Sequence, residues 1–243
     1  MSRLLLVSSL LAAAAIGCAS PVAEDASAEG APSALGSETY AAYADLAKDA
    51  GAAPSPGRVT VIGLRGLSMD GAAHATSYGP SFDDTIVVLR ADGTVERFEA
   101  STHPFELRST SVPDVDGDRA SDIGIIRPGV YDAAGRESDR NIAGQATWAV
   151  TRNGSGRLPG WRDTDHDGVI SEAERKASER RGDGLTSVLF HQGDGKAAPA
   201  AVGCQVLPAS AMRAFTAAVG GPRASFRYVL VDMTNRDASE LPR

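Results

Sequence analysis

From Arg58 onward the chain alternates short apolar, β-branched runs with clusters of turn residues, a pattern of strands more than of helices. The runs predict strands over Val59–Leu64, Thr85–Arg90, Val95–Ala100, Ile123–Ile126, Thr147–Thr151, Ser187–His191 and Tyr228–Met233. Ala91-Asp92-Gly93-Thr94 reads as the hairpin turn between the second and third of these. Two stretches carry a helical period instead. Glu172–Arg181 is rich in charge and reads as an exposed helix, whereas Ala209–Val219 spaces Met212, Phe215 and Val219 for one buried face. No repeat of solenoid length is present. The pattern predicts a mainly β, β-rich α+β domain over 58–235, a compact sandwich or barrel with one or two helices, followed by a short C-terminal tail over 236–243.

The pattern is different before Arg58. Residues 1–17 run from Arg3 into a Leu/Ala stretch of about 14 residues, shorter than the roughly 20 a membrane span needs, and have the form of an export signal. Residues 18–57 are dominated by Ala, Ser, Gly, Pro and Glu, which predicts a disordered tether closed by Pro54-Ser-Pro56-Gly57. Within it, Ser37–Lys48 has the composition of a short helix. The run ending Ala15-Ile16-Gly17-Cys18 resembles the lipobox of bacterial lipoproteins. That resemblance implies an acylated Cys18 and attachment to a membrane through N-terminal lipid. With Ala19 following, it implies an exported protein held at the outer membrane.

Composition narrows the picture. The 243 residues are 42% hydrophobic and 23% charged, as in an ordinary globular protein. The 24 Lys+Arg against 31 Asp+Glu leave a net charge of −7, which excludes the concentrated basic surface of a duplex nucleic-acid binder. Two cysteines cannot build a disulfide scaffold or a four-thiolate zinc site. If Cys18 carries lipid, Cys204 is left without a partner, which is unusual in an exported protein.

Part of the acidic surplus is concentrated. Asp163-Thr-Asp165-His-Asp167-Gly168-Val169-Ile170-Ser171-Glu-Ala-Glu174 matches the twelve-residue EF-hand loop. Asp163, Asp165 and Asp167 supply carboxylates, Gly168 the sharp turn, Val169 a carbonyl, Ser171 a water-mediated contact and Glu174 a bidentate carboxylate. An all-oxygen set suits Ca²⁺. Pro159 and Gly160 leave no incoming helix, so a single structural site of about 10⁻⁵–10⁻³ M affinity is expected. His166 reads as a solvated loop residue. Asp114, Asp116, Asp118 and Asp122 form a second acidic loop that resembles the DxDGDxxxD calcium loops of β-propeller-type repeats, and it reads equally well as a metal site or as a solvated turn.

The remaining chemistry lies around Cys204. A strand ends in His191-Gln-Gly193, a loop follows, and Gly203-Cys204-Gln205 returns before another apolar strand. A folded-back loop would bring the imidazole to the thiol as its base, with backbone N–H groups around Gly203 facing an oxyanion. Here the chain resembles the L,D-transpeptidase (YkuD-like) superfamily of cell-wall enzymes, and within it a divergent branch ending in Gly-Cys-Gln. The likeness runs through Ile62-Gly63-Leu64-Arg65-Gly66, Phe98-Glu-Ala-Ser-Thr-His-Pro104, Pro128-Gly-Val-Tyr131 and the acidic Arg162–Gly168 stretch before His191. It implies a YkuD-like fold with Cys204 as acyl-accepting nucleophile and His191 as base, acting on peptidoglycan stem peptides as a transpeptidase or carboxypeptidase. Ala201 and Val202 replace the family's Ser-His, and Gln205 stands where an Arg often follows. The alternative is a non-catalytic, calcium-stabilised exported lipoprotein, on a degenerate transpeptidase fold, that binds wall material or another envelope protein. Of the other residues, His103 and His74 read as loop histidines, Trp148 and Trp161 as packing, and Arg65 and Arg127 as surface charge or ligands of a substrate carboxylate.

Overall fold

The computed structural model describes residues 33–35, 37–76, 78–79, 81–105, 112–136, 142, 144–193 and 203–234. The expected signal (1–17), Cys18, the Ala201-Val202 pair and the tail (236–243) lie outside the described residues. The fold is mainly β. One sheet has nine strands: β1 (Ser33–Leu35), β2 (Thr60–Arg65), β3 (Asp84–Leu89), β4 (Val95–Ala100), β6 (Gly129–Gly135), β7 (Trp148–Thr151), β10 (Leu189–Gly193), β11 (Gln205–Pro208) and β12 (Ser225–Asp232). Its order is β1-β4-β3-β2-β12-β6-β7-β10-β11. A smaller sheet joins β5 (Gly124–Ile126), β8 (Leu158–Arg162) and β9 (Gly184–Leu185) in the order β5-β8-β9. The helices are α1 (Ser37–Asp49), α2 (Glu172–Arg181) and α3 (Ala209–Ala218). Among the described residues no helix is long and apolar enough to cross a membrane.

The large sheet curls until its ends meet. Ser101, just past β4, exchanges two backbone hydrogen bonds of 2.8 Å with Val206 of β11. The eight strands from β4 round to β11 thus form a nearly closed barrel. Among the described residues one bridge spans this seam, and α3, which follows β11 directly, packs over β4, β10 and β11 to cover it. Its Met212 and Phe215 enter the barrel core, as the spacing predicts. There the Phe190 and Phe215 rings stack at 5.7 Å, and Tyr228 meets Phe190 edge-on at 4.8 Å.

Every residue of β2 and β3 is buried. Val61, Ile86 and Val88 face the barrel core, while Ile62, Leu64, Val87 and Leu89 face outward beneath α1. Cover on both faces is why these strands read as continuous apolar runs without alternation. It also corrects the expected tether. Tyr43, Ala47 and Ala52 are buried against the outer face, so α1 and the segment up to β2 belong to the folded domain. Their Ala-rich composition hides this because small side chains let the helix approach the sheet closely.

Four strands escaped the apolar pattern: β1, β6, β8 and β9. Glycines flank β6, which holds through six backbone pairings with β12. The middle strand of the small sheet, β8, contains Pro159 and Gly160. Neighbouring backbones, more than local propensity, make these segments strands.

Tyr43→Ala should cost about 3 kcal/mol in chemical denaturation, against well under 1 for the partly exposed Tyr40→Ala. Equal stability of the Tyr43 variant and the parent would return α1 to the tether.

Candidate metal centre

The antiparallel β5–β8 pair sets Gly124 opposite Arg162, so the two acidic loops, one ahead of β5 and one after β8, meet at the same end. Asp163 continues β8 by donating its N–H to the Ile123 carbonyl at 2.8 Å. Its side chain then turns inward at 1% exposure. Asp163 Oδ2 accepts the Gly168 N–H at 3.0 Å, and Oδ1 has no hydrogen-bond partner among the described residues. Positive φ at His166 (60°) and Gly168 (85°) folds the loop back, and Gly168 tolerates this at no cost. Asp165 Oδ1 accepts from Asp167 N, and Asp167 Oδ1 from Val169 N.

The loop feeds α2 through a capping box. Ser171 Oγ accepts from Glu174 N at 3.3 Å, and Glu174 Oε2 accepts from Ser171 N at 2.8 Å. Glu174 Oε1 reaches back to Thr164 N at 2.6 Å, which brings the helix carboxylate over the loop. Oxygens of Asp163, Asp165 and Glu174 lie within 4.8 Å of one another. The Asp167 carboxylate stands outside this trio, Ser171 is occupied as the helix cap, and the Val169 side chain is 41% exposed. Burial and the neighbouring carboxylates push Asp163 up to about 6, against the Gly168 N–H. At Glu174 the burial penalty is outweighed by donors from Ser171, Thr164 and Asp165, and its pKa falls.

In the other loop, Asp114, Asp116 and Asp122 bring ligand oxygens within 4.8 Å of one another. Asp118 instead meets the His166 ring at 3.2 Å. The expected solvated histidine therefore links the two loops.

Cys204 and His191 sit on β11's lead-in and on β10. The parallel register pairs Phe190 with Gln205 and His191 with Val206, so both residues face outward, one two-residue step apart. No hydrogen bond joins them. The Cys204 thiol points to the Ser187 carbonyl at 3.9 Å, under Phe105 and Val206. Burial pushes it up to about 11 despite the Leu189 N–H. Burial also lowers His191, against its contact with the Gln192 carbonyl. Gly203 has φ 92°, and a Cβ there would lie 2.3 Å from Leu185, so its glycine serves packing. Gln205 points inward, donates to the Gly203 carbonyl and accepts from Tyr228.

Sequence reading missed a buried polar cluster at the start of β3. Arg65, read as surface charge, is 0% exposed. It donates to Thr102 Oγ1, the Thr102 carbonyl and the Ile126 carbonyl at 3.1, 2.9 and 2.9 Å. Asp84 accepts from Gly66 N, Thr102 N and Thr102 Oγ1. His103, equally buried, holds Asp83 at 2.8 Å through Nε2 while Nδ1 faces the Pro104 carbonyl. The signal was present in the Asp83-Asp84 pair before an apolar strand and in the Ser-Thr-His-Pro run. His74, Asp83 and Asp84 also approach one another within metal-ligand distance. Both His74 nitrogens, however, face carbonyls and Asp84 is fully engaged by its three donors, so this group is an internal latch. Arg127 is half-buried, with Nε donating to the Gly160 carbonyl at 3.4 Å and Nη1 3.8 Å from Glu179, and Trp148 and Trp161 pack inside as expected.

No protein-family model matches the chain, and no curated protein or solved structure matches it either.

Burial would raise Asp83, but the hydrogen bond and charge of His103, with Ser81 and His74, bring it down to about 2. Burial would lower His103, yet Asp83 and Asp84 raise it. The Asp83 contribution is present above the unfolded value near pH 4 and is lost as pH falls through about 2. The His103 contribution is present below about pH 6.5 and is lost as pH rises through its raised folded value. His103→Gln should therefore lower Tm most between about pH 4 and 6.5. The expected loss is about 2–4 °C, because Asp83 stays 35% open to water. A Tm difference that does not change with pH, followed by scanning calorimetry, would overturn the latch.

Proposed function

We propose that this chain is an exported, lipid-anchored envelope protein whose barrel domain is clasped by Ca²⁺ in the 163–174 loop. Its role at the wall is binding, in the class of peptidoglycan stem peptides that the resemblance implies. One observation carries the calcium reading: Asp163, 1% exposed, has an oxygen without a hydrogen-bond partner among the described residues, and its carboxylate lies beside those of Asp165 and Glu174. A buried carboxylate oxygen lacking donors costs stability unless a cation meets it. Hard oxygen donors alone favour Ca²⁺ over zinc. The ion would tie α2 to the β5–β8 pair and relieve the mutual repulsion of the loop carboxylates.

Acyl transfer by Cys204 is a second reading, and one observation favours it. His191 Nδ1 faces the Gln192 carbonyl at 2.8 Å, which leaves the lone pair of the neutral ring on Nε2, the tautomer a base needs. That chemistry requires the thiol to come out from under Phe105 and ionise, which its burial opposes.

Chelation of the calcium-loaded protein should lower Tm by about 5–10 °C if the ion is held at about 100 times its Kd. Glu174→Gln, which keeps the capping box, should weaken Ca²⁺ binding in this loop at least tenfold and cut that shift to about half or less. Parental affinity and Tm in this variant would sink the proposal. For the thiol, a carbapenem-type acylating agent followed by peptide mapping should leave Cys204 unmodified in the folded chain. A stoichiometric adduct at Cys204 would move the assignment to acyl transfer.

A further inference from the structure

We propose that residues 114–122 form a second calcium site, built on the loop conformation of 163–171, so that two cations clasp one end of the β5–β8 pair. The proposal extends the calcium reading above but stands on separate ligands.

The two loops have the same internal wiring. Arg119 N donates to Asp114 Oδ2 at 2.9 Å, as Gly168 N does to Asp163 Oδ2 at 3.0 Å. Asp118 N donates to Asp116 Oδ1 at 3.0 Å, as Asp167 N does to Asp165 Oδ1 at 3.2 Å. Ala120 N donates to Asp118 Oδ1 at 2.7 Å, as Val169 N does to Asp167 Oδ1 at 2.8 Å. Positive φ falls at matching positions: Gly117 (92°) with His166 (60°), and Arg119 (75°) with Gly168 (85°). Arg119 holds this conformation without being glycine, against its steric preference.

Such wiring by itself could be solvated. The difference at the ninth position is what points to an ion. Where the first loop has Ser171 and takes its last carboxylate from α2, the second has Asp122, which is 0% exposed. Asp122 Oδ2 accepts from Val115 N, while Oδ1 has no hydrogen-bond partner among the described residues and sits at 3.7 Å from His166 Nε2. The nearby Arg162 commits its Nη1 and Nη2 to the carbonyls of Asp122 and Gly184. Asp114 and Asp116 converge on Asp122 with exposed carboxylates, open to an arriving ion. Asp118 and the His166 ring also gather at Asp122, within 4.8 Å of one another, but the Asp114, Asp116 and Asp122 trio is oxygen only and suits Ca²⁺.

Calorimetric titration of the chelator-treated full chain with CaCl₂ should find two ions per chain. Asp122→Asn and Glu174→Gln should each leave one, and the double variant none. Asp116→Asn, at an exposed position, leaves folding untouched and should weaken one of the two sites at least tenfold. A single ion, lost in Glu174→Gln and unaffected by Asp122→Asn and Asp116→Asn, would overturn this inference and leave the first site standing. A single ion with the opposite dependence would support it and remove the first site. Zn²⁺ binding that needs His166, with no Ca²⁺ at this loop, would also overturn it.

Discussion

The guanidinium of Arg65 is buried at the rim of the barrel, and its position constrains most of what surrounds it. A cation shut away from water must be met by acceptors, and the chain meets this one with two carbonyls and a hydroxyl from elements distant in sequence. Thr102 in turn donates a hydrogen bond from its hydroxyl to Asp84, so β2, β3 and the segment after β4 are joined through one connected set of polar groups. The Ile126 carbonyl brings in β5, and with it the small sheet from which both acidic loops hang. Removal of one member would strand the others without partners, which makes the set cooperative.

Burial acts in opposite directions at the two places where chemistry was expected. At Cys204 it holds the thiol in its neutral, unreactive form beneath aromatic rings, one strand away from a histidine to which it is not hydrogen-bonded. At Asp163 and Asp122 it withdraws a carboxylate from water without giving every oxygen a donor. The neutral thiol suits its burial, whereas burial disfavours the charged form of both carboxylates and raises their pKa. The centre of chemical interest therefore shifts from the Gly-Cys-Gln segment to the end of the β5–β8 pair. In that light Gln205 and Gly203 are packing residues: one fills a buried polar position beside Tyr228, the other clears space for Leu185.

Much of this was legible in the chain. The apolar runs marked β2, β3, β4, β7, β10 and β12, and the twelve-residue acidic pattern located its loop and the helix α2 that follows. Local periodicity carries that information because each run buries a face of its own. The strands β6, β8 and β9, with their glycines and proline, carry no such signal and exist through the strands beside them. Arg65 and His103 looked like surface or loop residues because charge usually stays in water, and nothing local announces the acceptors that make burial tolerable.

What the sequence determined by itself was the mainly β architecture, the position of most strands and the place of the two acidic loops, all properties of spacing along the chain. The tertiary structure decided that the sheet closes on itself, that α1 is part of the domain, and that the two acidic loops share one end joined by His166. It also decided that Cys204 and His191 share a face without a hydrogen bond between them. The reason is physical: periodicity records which residues seek burial, whereas the partners of a buried charge, thiol or carboxylate come from segments that only the fold brings together.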